Sequence, residues 1–177
     1  HKLPYDEATW DAIHHLLRNV WFTRLWVVQE SVLASRMSIV QCGTDTILLS
    51  ELRRAVLCLS GNQKLPSPSL SKLLIECMNL LGTKLGYTFD EVLMNSRYRG
   101  CMEPKDRIYG LLGMAPTQFA SQLRPCYDNS LSTGQLYKDA FLLYAKHIER
   151  LDLFKHCDVV ERVINEPSWV PDWSAKR

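Results

Sequence analysis

The residues from Trp21 to Leu49 have the sequence WFTRLWVVQESVLASRMSIVQCGTDTILL. Its first half carries large apolar residues at the spacing of one helical stripe, namely Trp21, Leu25, Val28 and Val32. In its second half, apolar and polar residues alternate over 37–42, a Gly-Thr-Asp turn follows, and 46–49 can return as a second strand. This stretch therefore predicts a helix followed by a short β-hairpin.

Helical periodicity dominates the chain on both sides of that stretch. The predicted helices cover about 5–20, 50–59, 70–85, 89–97, a short segment after Pro104, and a long segment after Ser132. Ser50 is predicted to cap the second of these, and the pairs Thr88–Glu91 and Ser132–Gln135 have the spacing of capping boxes. The predicted fold class is α+β, mostly helical with a short β-hairpin, because the strands are too few for a complete parallel sheet.

The composition excludes several classes of protein. The chain has 177 residues, 46% of them hydrophobic and 23% charged, which is ordinary for a globular protein. A net charge of +2 is too small to indicate nucleic-acid binding. No apolar run approaches the roughly 20 residues that cross a bilayer.

The cysteines give no sign of a metal site. Six of them lie far apart, with neither a Cys-x-x-Cys pair nor zinc-type spacing to a histidine. We therefore expect no metal and no resident cofactor, and we interpret the cysteines as buried, reduced thiols of a cytoplasmic protein.

One segment could carry chemistry. On a helix, Trp26 and Glu30 are neighbours one turn apart. The indole can therefore shield the carboxylate from water, and a partly desolvated carboxylate can act as an acid or a base. The alternative is structural, with Arg24 or a backbone amide pairing with Glu30. The familiar signatures of hydrolases, nucleotide-binding loops and zinc proteases are absent.

Four stretches together resemble the fungal heterokaryon incompatibility (HET) domain family. Residues 21–30 resemble its W-F-x-R-x-W-x-x-Q-E signature, and residues 103–115, EPKDRIYGLLGMA, are similar to its D-P-R-D-R-I-Y-A-L-L-G-L-A. Residues 126–128 with the helix that follows resemble its D-Y-x-x-S element, Cys126 standing for the usual acid, and residues 167–174 match its P-S-W-x-P-D-W-S outline. The family's N-terminal S-Y-x-W-G and I-D-x-x-C-I-N-Q stretches have no counterpart here, so we expect the chain to be an internal piece of such a protein.

The resemblance implies a domain layout and a role. Residues 1–60 would be the C-terminal part of the HET domain, 61–69 a linker, and 70–177 a helical region after that domain. The implied role is fungal non-self recognition and programmed cell death through protein partners or self-association.

A more distant resemblance concerns the Toll/interleukin-1 receptor (TIR) fold, to which HET domains are thought to be related. Trp26 and Glu30 have the spacing of the W-C-x-x-E context in which some TIR domains place a glutamate that cleaves NAD, with Val27 in place of the Cys. This implies that the chain is the C-terminal portion of a TIR-like α/β domain plus a helical extension. It names Glu30 and Trp26 as candidate catalytic residues and leaves NAD as a candidate ligand of the intact protein. Whether the protein is an enzyme stays open between these two roles.

Overall fold

The computed structural model describes residues 3–62, 64–82, 87–157 and 162–175. The chain divides into two compact units, His1–Lys84 and Leu85–Arg177, here called the N-terminal and the C-terminal unit.

The N-terminal unit contains four helices and a hairpin among its described residues. The helices are α1 (Glu7–Leu17), α2 (Trp26–Val32), α3 (Leu49–Ser60) and α4 (Pro68–Leu81), and a 3₁₀ turn (Val20–Thr23) precedes α2. Helix α4 packs against each of the other three helices. It buries Leu70, Leu74, Cys77, Leu80 and Leu81, so its apolar stripe forms the centre of this core.

The hairpin joins strands β1 (Ile39–Cys42) and β2 (Asp45–Leu48) in antiparallel register. Cys42 pairs with Asp45 across a two-residue turn whose first residue, Gly43, has φ +63°. Glycine reaches that φ without a steric cost, which lets so short a turn match the twist of the strands. The Leu49 amide donates to the Ser38 carbonyl at 2.8 Å. This hydrogen bond joins the residue before β1 to the first residue of α3.

The described part of the C-terminal unit is helical and irregular. Its helices are α5 (Phe89–Ser96), α6 (Asp106–Tyr109), α7 (Thr117–Ala120) and α8 (Thr133–Ile148), with 3₁₀ turns at Leu112–Met114 and Asp152–His156. Helix α8 carries the core of this unit, since Leu136, Tyr137, Ala140, Phe141 and Tyr144 are all buried. Phe89, Phe119 and Tyr144 form an aromatic cluster that joins α5, α7 and α8.

Residues 162–175 form an ordered segment without helix or strand, here called the clasp. Trp173 is buried and packs edge-on against Tyr137 of α8, and Trp169 lies against Phe141 one turn further along. Two prolines in the clasp forbid regular structure, while the indoles supply the apolar surface that holds it on α8.

The fold class predicted from the sequence is confirmed, and so is the capping box at Thr88 and Glu91. Ser132 also caps α8, accepting from the Gln135 amide at 3.0 Å, although the Gln135 side chain bonds Asp139 instead of returning to the cap. The predicted cap at Ser50 is wrong. Helix α3 begins at Leu49 without a side-chain cap, because the strand runs into it with no turn between.

Two further expectations are corrected. Arg24 is extended (φ −78°, ψ 141°), so Trp21 lies on the 3₁₀ turn and does not share a stripe with Val28 of α2. Asn19 fixes that turn by accepting from the Trp21 amide at 2.9 Å. The six cysteines are free thiols, but Cys77 alone among them is buried, while Cys42 and Cys58 are exposed.

Candidate functional site beside the hairpin

Helix α2 places Glu30 at the mouth of a large cavity in the N-terminal unit. The cavity has a volume of about 790 Å³, and its walls come from the 3₁₀ turn, α2, the hairpin and the start of α3. Trp21 and Phe22 of the 3₁₀ turn form one wall, with their rings edge-on and 5.0 Å apart. Glu30 and Asp45 are the two carboxylates that line it.

The Glu30 side chain is exposed and unpaired. Within the described residues, its carboxylate accepts no hydrogen bond and meets no cation. The structural alternative, in which Arg24 or an amide pairs with Glu30, is therefore not formed there. An unpaired carboxylate at a cavity mouth is free to contact a ligand.

The structure separates the two candidate catalytic residues by environment. Trp26 is half-buried and does not line the cavity that Glu30 lines. The indole beside the cavity is that of Trp21 instead. The sequence pairing of Trp26 with Glu30 rests on helical spacing, and helical spacing alone does not say which aromatic side chain faces the same space as the carboxylate.

The rim of the cavity is apolar and exposed. Ile39 and Ile47, from opposite strands of the hairpin, line the cavity and remain 59% and 39% exposed, and nearby Met37 is 78% exposed. Sequence reasoning missed these residues as functional candidates. The signal was present, since both strands carry apolar residues while the predicted fold supplies no second sheet layer to cover them.

No group of three or more His, Cys, Asp or Glu side chains among the described residues is placed to hold a metal ion. None of the described helices combines the length and the apolar character needed to span a membrane.

These features define a mostly helical α+β protein with an apolar-rimmed cavity beside a two-stranded hairpin. In sequence, the chain is similar to Heterokaryon incompatibility protein 6, OR allele, of Neurospora crassa, with 28% identity over 197 residues. The match covers 90% of this chain and 29% of that protein, so the chain spans less than a third of its relative's length. The similarity supports the heterokaryon incompatibility family and a fungal origin. No family model matches the chain. No solved structure matches it either.

Proposed function

We propose that this chain is part of a fungal heterokaryon incompatibility protein that acts in non-self recognition and programmed cell death, through self-association or the binding of a protein partner. The observation that carries the proposal is the similarity to the Neurospora protein along 90% of this chain. The proposed domain layout keeps residues 1–60 as the end of the HET domain, 61–69 as a linker, and 70–177 as the helical region after it. Its proposed location is the cytoplasm.

The hairpin supports an interaction role on physical grounds. Ile39 and Ile47 lie on opposite faces of the hairpin, because Ile39 pairs with Leu48 and Ile47 pairs with Val40. Together with Met37 they put apolar surface in water around the hairpin, and each costs free energy until something covers it. Within the described residues, β1 and β2 pair only with each other, so each strand also presents an outer edge that can pair with another chain. A protein partner, or a second copy, would cover both the apolar rim and a strand edge.

The association test uses the hairpin itself. The double variant Ile39→Asp, Ile47→Asp places two charges on the rim, and both residues are exposed enough for the fold to survive. We expect wild-type protein to show concentration-dependent association in analytical ultracentrifugation and the double variant to weaken it at least about tenfold, as for loss of central apolar contacts. Leu142→Asp, at a 48% exposed position of α8, is the matched control and should associate like the wild type. Equal association by all three proteins would refute the role of the hairpin.

A second candidate function is the cleavage of NAD, and the placement of Glu30 favours it. Its carboxylate is exposed, has no partner among the described residues, and lines the cavity beside the hairpin together with Trp21. In such a reaction the carboxylate would orient the nicotinamide ribose and stabilise the positive charge that develops on the sugar as the glycosidic bond breaks. The proposed TIR-like relationship rests on the Trp26 to Glu30 spacing.

The NAD hypothesis is tested on the full-length protein under conditions that permit self-association. Nicotinamide release from NAD is followed for the wild type and for Glu30→Gln, which keeps size and hydrogen bonding but removes the charge. Release that falls by orders of magnitude in the variant supports the enzyme. If the wild type releases no nicotinamide, the enzyme hypothesis is rejected and the interaction role is the one that remains. For the 177-residue chain by itself we expect no cleavage, because a TIR-like pocket would need loops at the ends of parallel strands that are absent among its described residues.

A further inference from the structure

The cavity beside the hairpin combines apolar walls with negative charge. Phe22, Leu49 and Leu52 line it and are buried. Glu30 and Asp45 line it as well and are exposed. None of the described residues that line the cavity is Lys, Arg or His. Its charged lining groups are therefore all carboxylates.

These two carboxylates have no partner among the described residues. Neither Glu30 nor Asp45 forms an ion pair or accepts a hydrogen bond from a side chain there. Arg53 of α3 donates to the carbonyl of Ser31 in the cavity wall, but Arg53 does not itself line the cavity. The side chains that line the cavity thus leave its two negative charges unbalanced.

Three separate elements hold the charged and aromatic groups at this cavity. Glu30 lies on α2, and Asp45 is the first residue of β2, paired with Cys42 at the end of the hairpin. Trp21 lies on the 3₁₀ turn, where the Asn19 side chain accepts from its amide at 2.9 Å. An aromatic ring and two carboxylates are therefore presented to one space by backbone that is itself hydrogen-bonded.

We propose that this cavity binds a lysine or arginine side chain of a protein partner, together with an apolar neighbour in the partner's sequence. The aliphatic stem of such a side chain packs on apolar surface, its cationic head is attracted to the face of an indole, and the carboxylates supply the opposite charge. A volume of about 790 Å³ has room for more than one side chain. The inference rests on the interaction role proposed above and names the chemistry of the partner.

The first experiment selects peptides from a random heptapeptide library displayed on phage, with the full-length protein as the target. Phage that also bind the variant Glu30→Lys, Asp45→Lys are removed, so the selection retains ligands of this cavity. We expect the retained peptides to carry Lys or Arg next to an apolar residue, because complementary charge determines which partner is bound. Retention of no peptide, or of peptides without basic residues, would overturn the proposal.

The affinity of one retained peptide is then measured by fluorescence polarisation. It should bind Glu30→Lys, Asp45→Lys at least about tenfold more weakly than the wild type, since repulsion replaces attraction at both positions. Glu7→Lys, Glu51→Lys makes the same change in net charge at exposed positions outside the cavity and should bind like the wild type. Wild-type affinity should also fall as potassium chloride is added. Equal affinity of the two variants for the peptide would contradict the proposal.

Sedimentation of the same variants separates this proposal from the interaction role on which it rests. If Glu30→Lys, Asp45→Lys abolishes self-association and no peptide is retained, a second copy of the chain occupies the cavity. That result overturns the basic partner and leaves the interaction role in place. If the basic peptide binds as expected but expression of the protein causes no cell death, the docking site stands and the proposed role in cell death is rejected.

Discussion

At the scale of single residues, His156 shows most directly how burial fixes a charge state. The imidazole is fully buried, and its Nδ1 accepts from the Trp173 indole at 3.4 Å, so that nitrogen carries no proton. Its Nε2 has no hydrogen-bond partner among the described residues. Burial, with a smaller effect of the Lys155 ammonium, lowers the pKa of His156 to about 4.

The depressed pKa of His156 makes stability depend on pH. Its ordinary pKa is 6.5, so between pH 6.5 and 4 the unfolded chain binds a proton that the folded chain does not. Stability is therefore complete above pH 6.5 and should fall by about 3 kcal/mol as the pH drops to 4. Carboxylates such as Asp90, whose pKa lies below 3.8, titrate below this pH range of 4 to 6.5. The free energy of unfolding, measured with urea at several pH values, should depend less steeply on pH in His156→Gln than in the wild type. The same pH dependence in both proteins would contradict this account.

Glu30 yields a contrasting prediction, because its carboxylate is exposed and unpaired among the described residues. Glu30→Gln should change the free energy of unfolding by less than about 0.5 kcal/mol, as for other surface substitutions. Asp90→Asn is the matched control. Asp90 is buried and paired with Lys155, so that change should cost about 3 kcal/mol or more. A large loss of stability in Glu30→Gln would contradict this prediction and would indicate that Glu30 forms a structural ion pair.

At the scale of elements, the clasp depends on two charged side chains. Asp172 is buried and accepts from four backbone amides, those of Val163, Ile164, Ser174 and Ala175. Arg162 donates to four carbonyls of the same segment. These bonds replace the ladder that a strand would supply, which explains how a segment with two prolines stays ordered.

Asp172→Ala should therefore release the clasp from α8. We expect a loss of about 3 kcal/mol or more in unfolding free energy, since several buried amides lose their acceptor at once. Asp152→Asn breaks a surface ion pair with Arg150 and should cost at most about 1 kcal/mol. Thermal unfolding of both variants checks the difference, with the fluorescence of the buried Trp173 as the local signal. Equal stability of the two variants would contradict the role of Asp172.

Sequence reasoning succeeded at this scale where the signal was local. The hairpin, the caps at Thr88 and Ser132, and the long helix α8 each depend on residues within one or two turns of one another. The break between Trp21 and Trp26 was missed because it depends on the extended backbone at Arg24, which no side-chain periodicity records. The exposure of Cys58 was missed for a related reason, since apolar neighbours in sequence can point to opposite sides of a helix.

At the scale of the whole molecule, Glu30 could be predicted from the sequence as a candidate, but the cavity beside it could not. The cavity joins the 3₁₀ turn, the hairpin and the start of α3, which are brought together only by tertiary packing. Family resemblance supplied the expected role, and the physical features that support it came from the structure.

The exposed hairpin rim is proposed to carry signalling between proteins. The most direct measurement is the viability of a filamentous fungus after induced expression of the full-length protein, at matched protein levels. We predict that the wild type and Leu142→Asp kill the cells, while Ile39→Asp, Ile47→Asp loses killing by at least about tenfold, in step with its lost association. Killing by the double variant at the wild-type rate, with its association abolished, would contradict the claim.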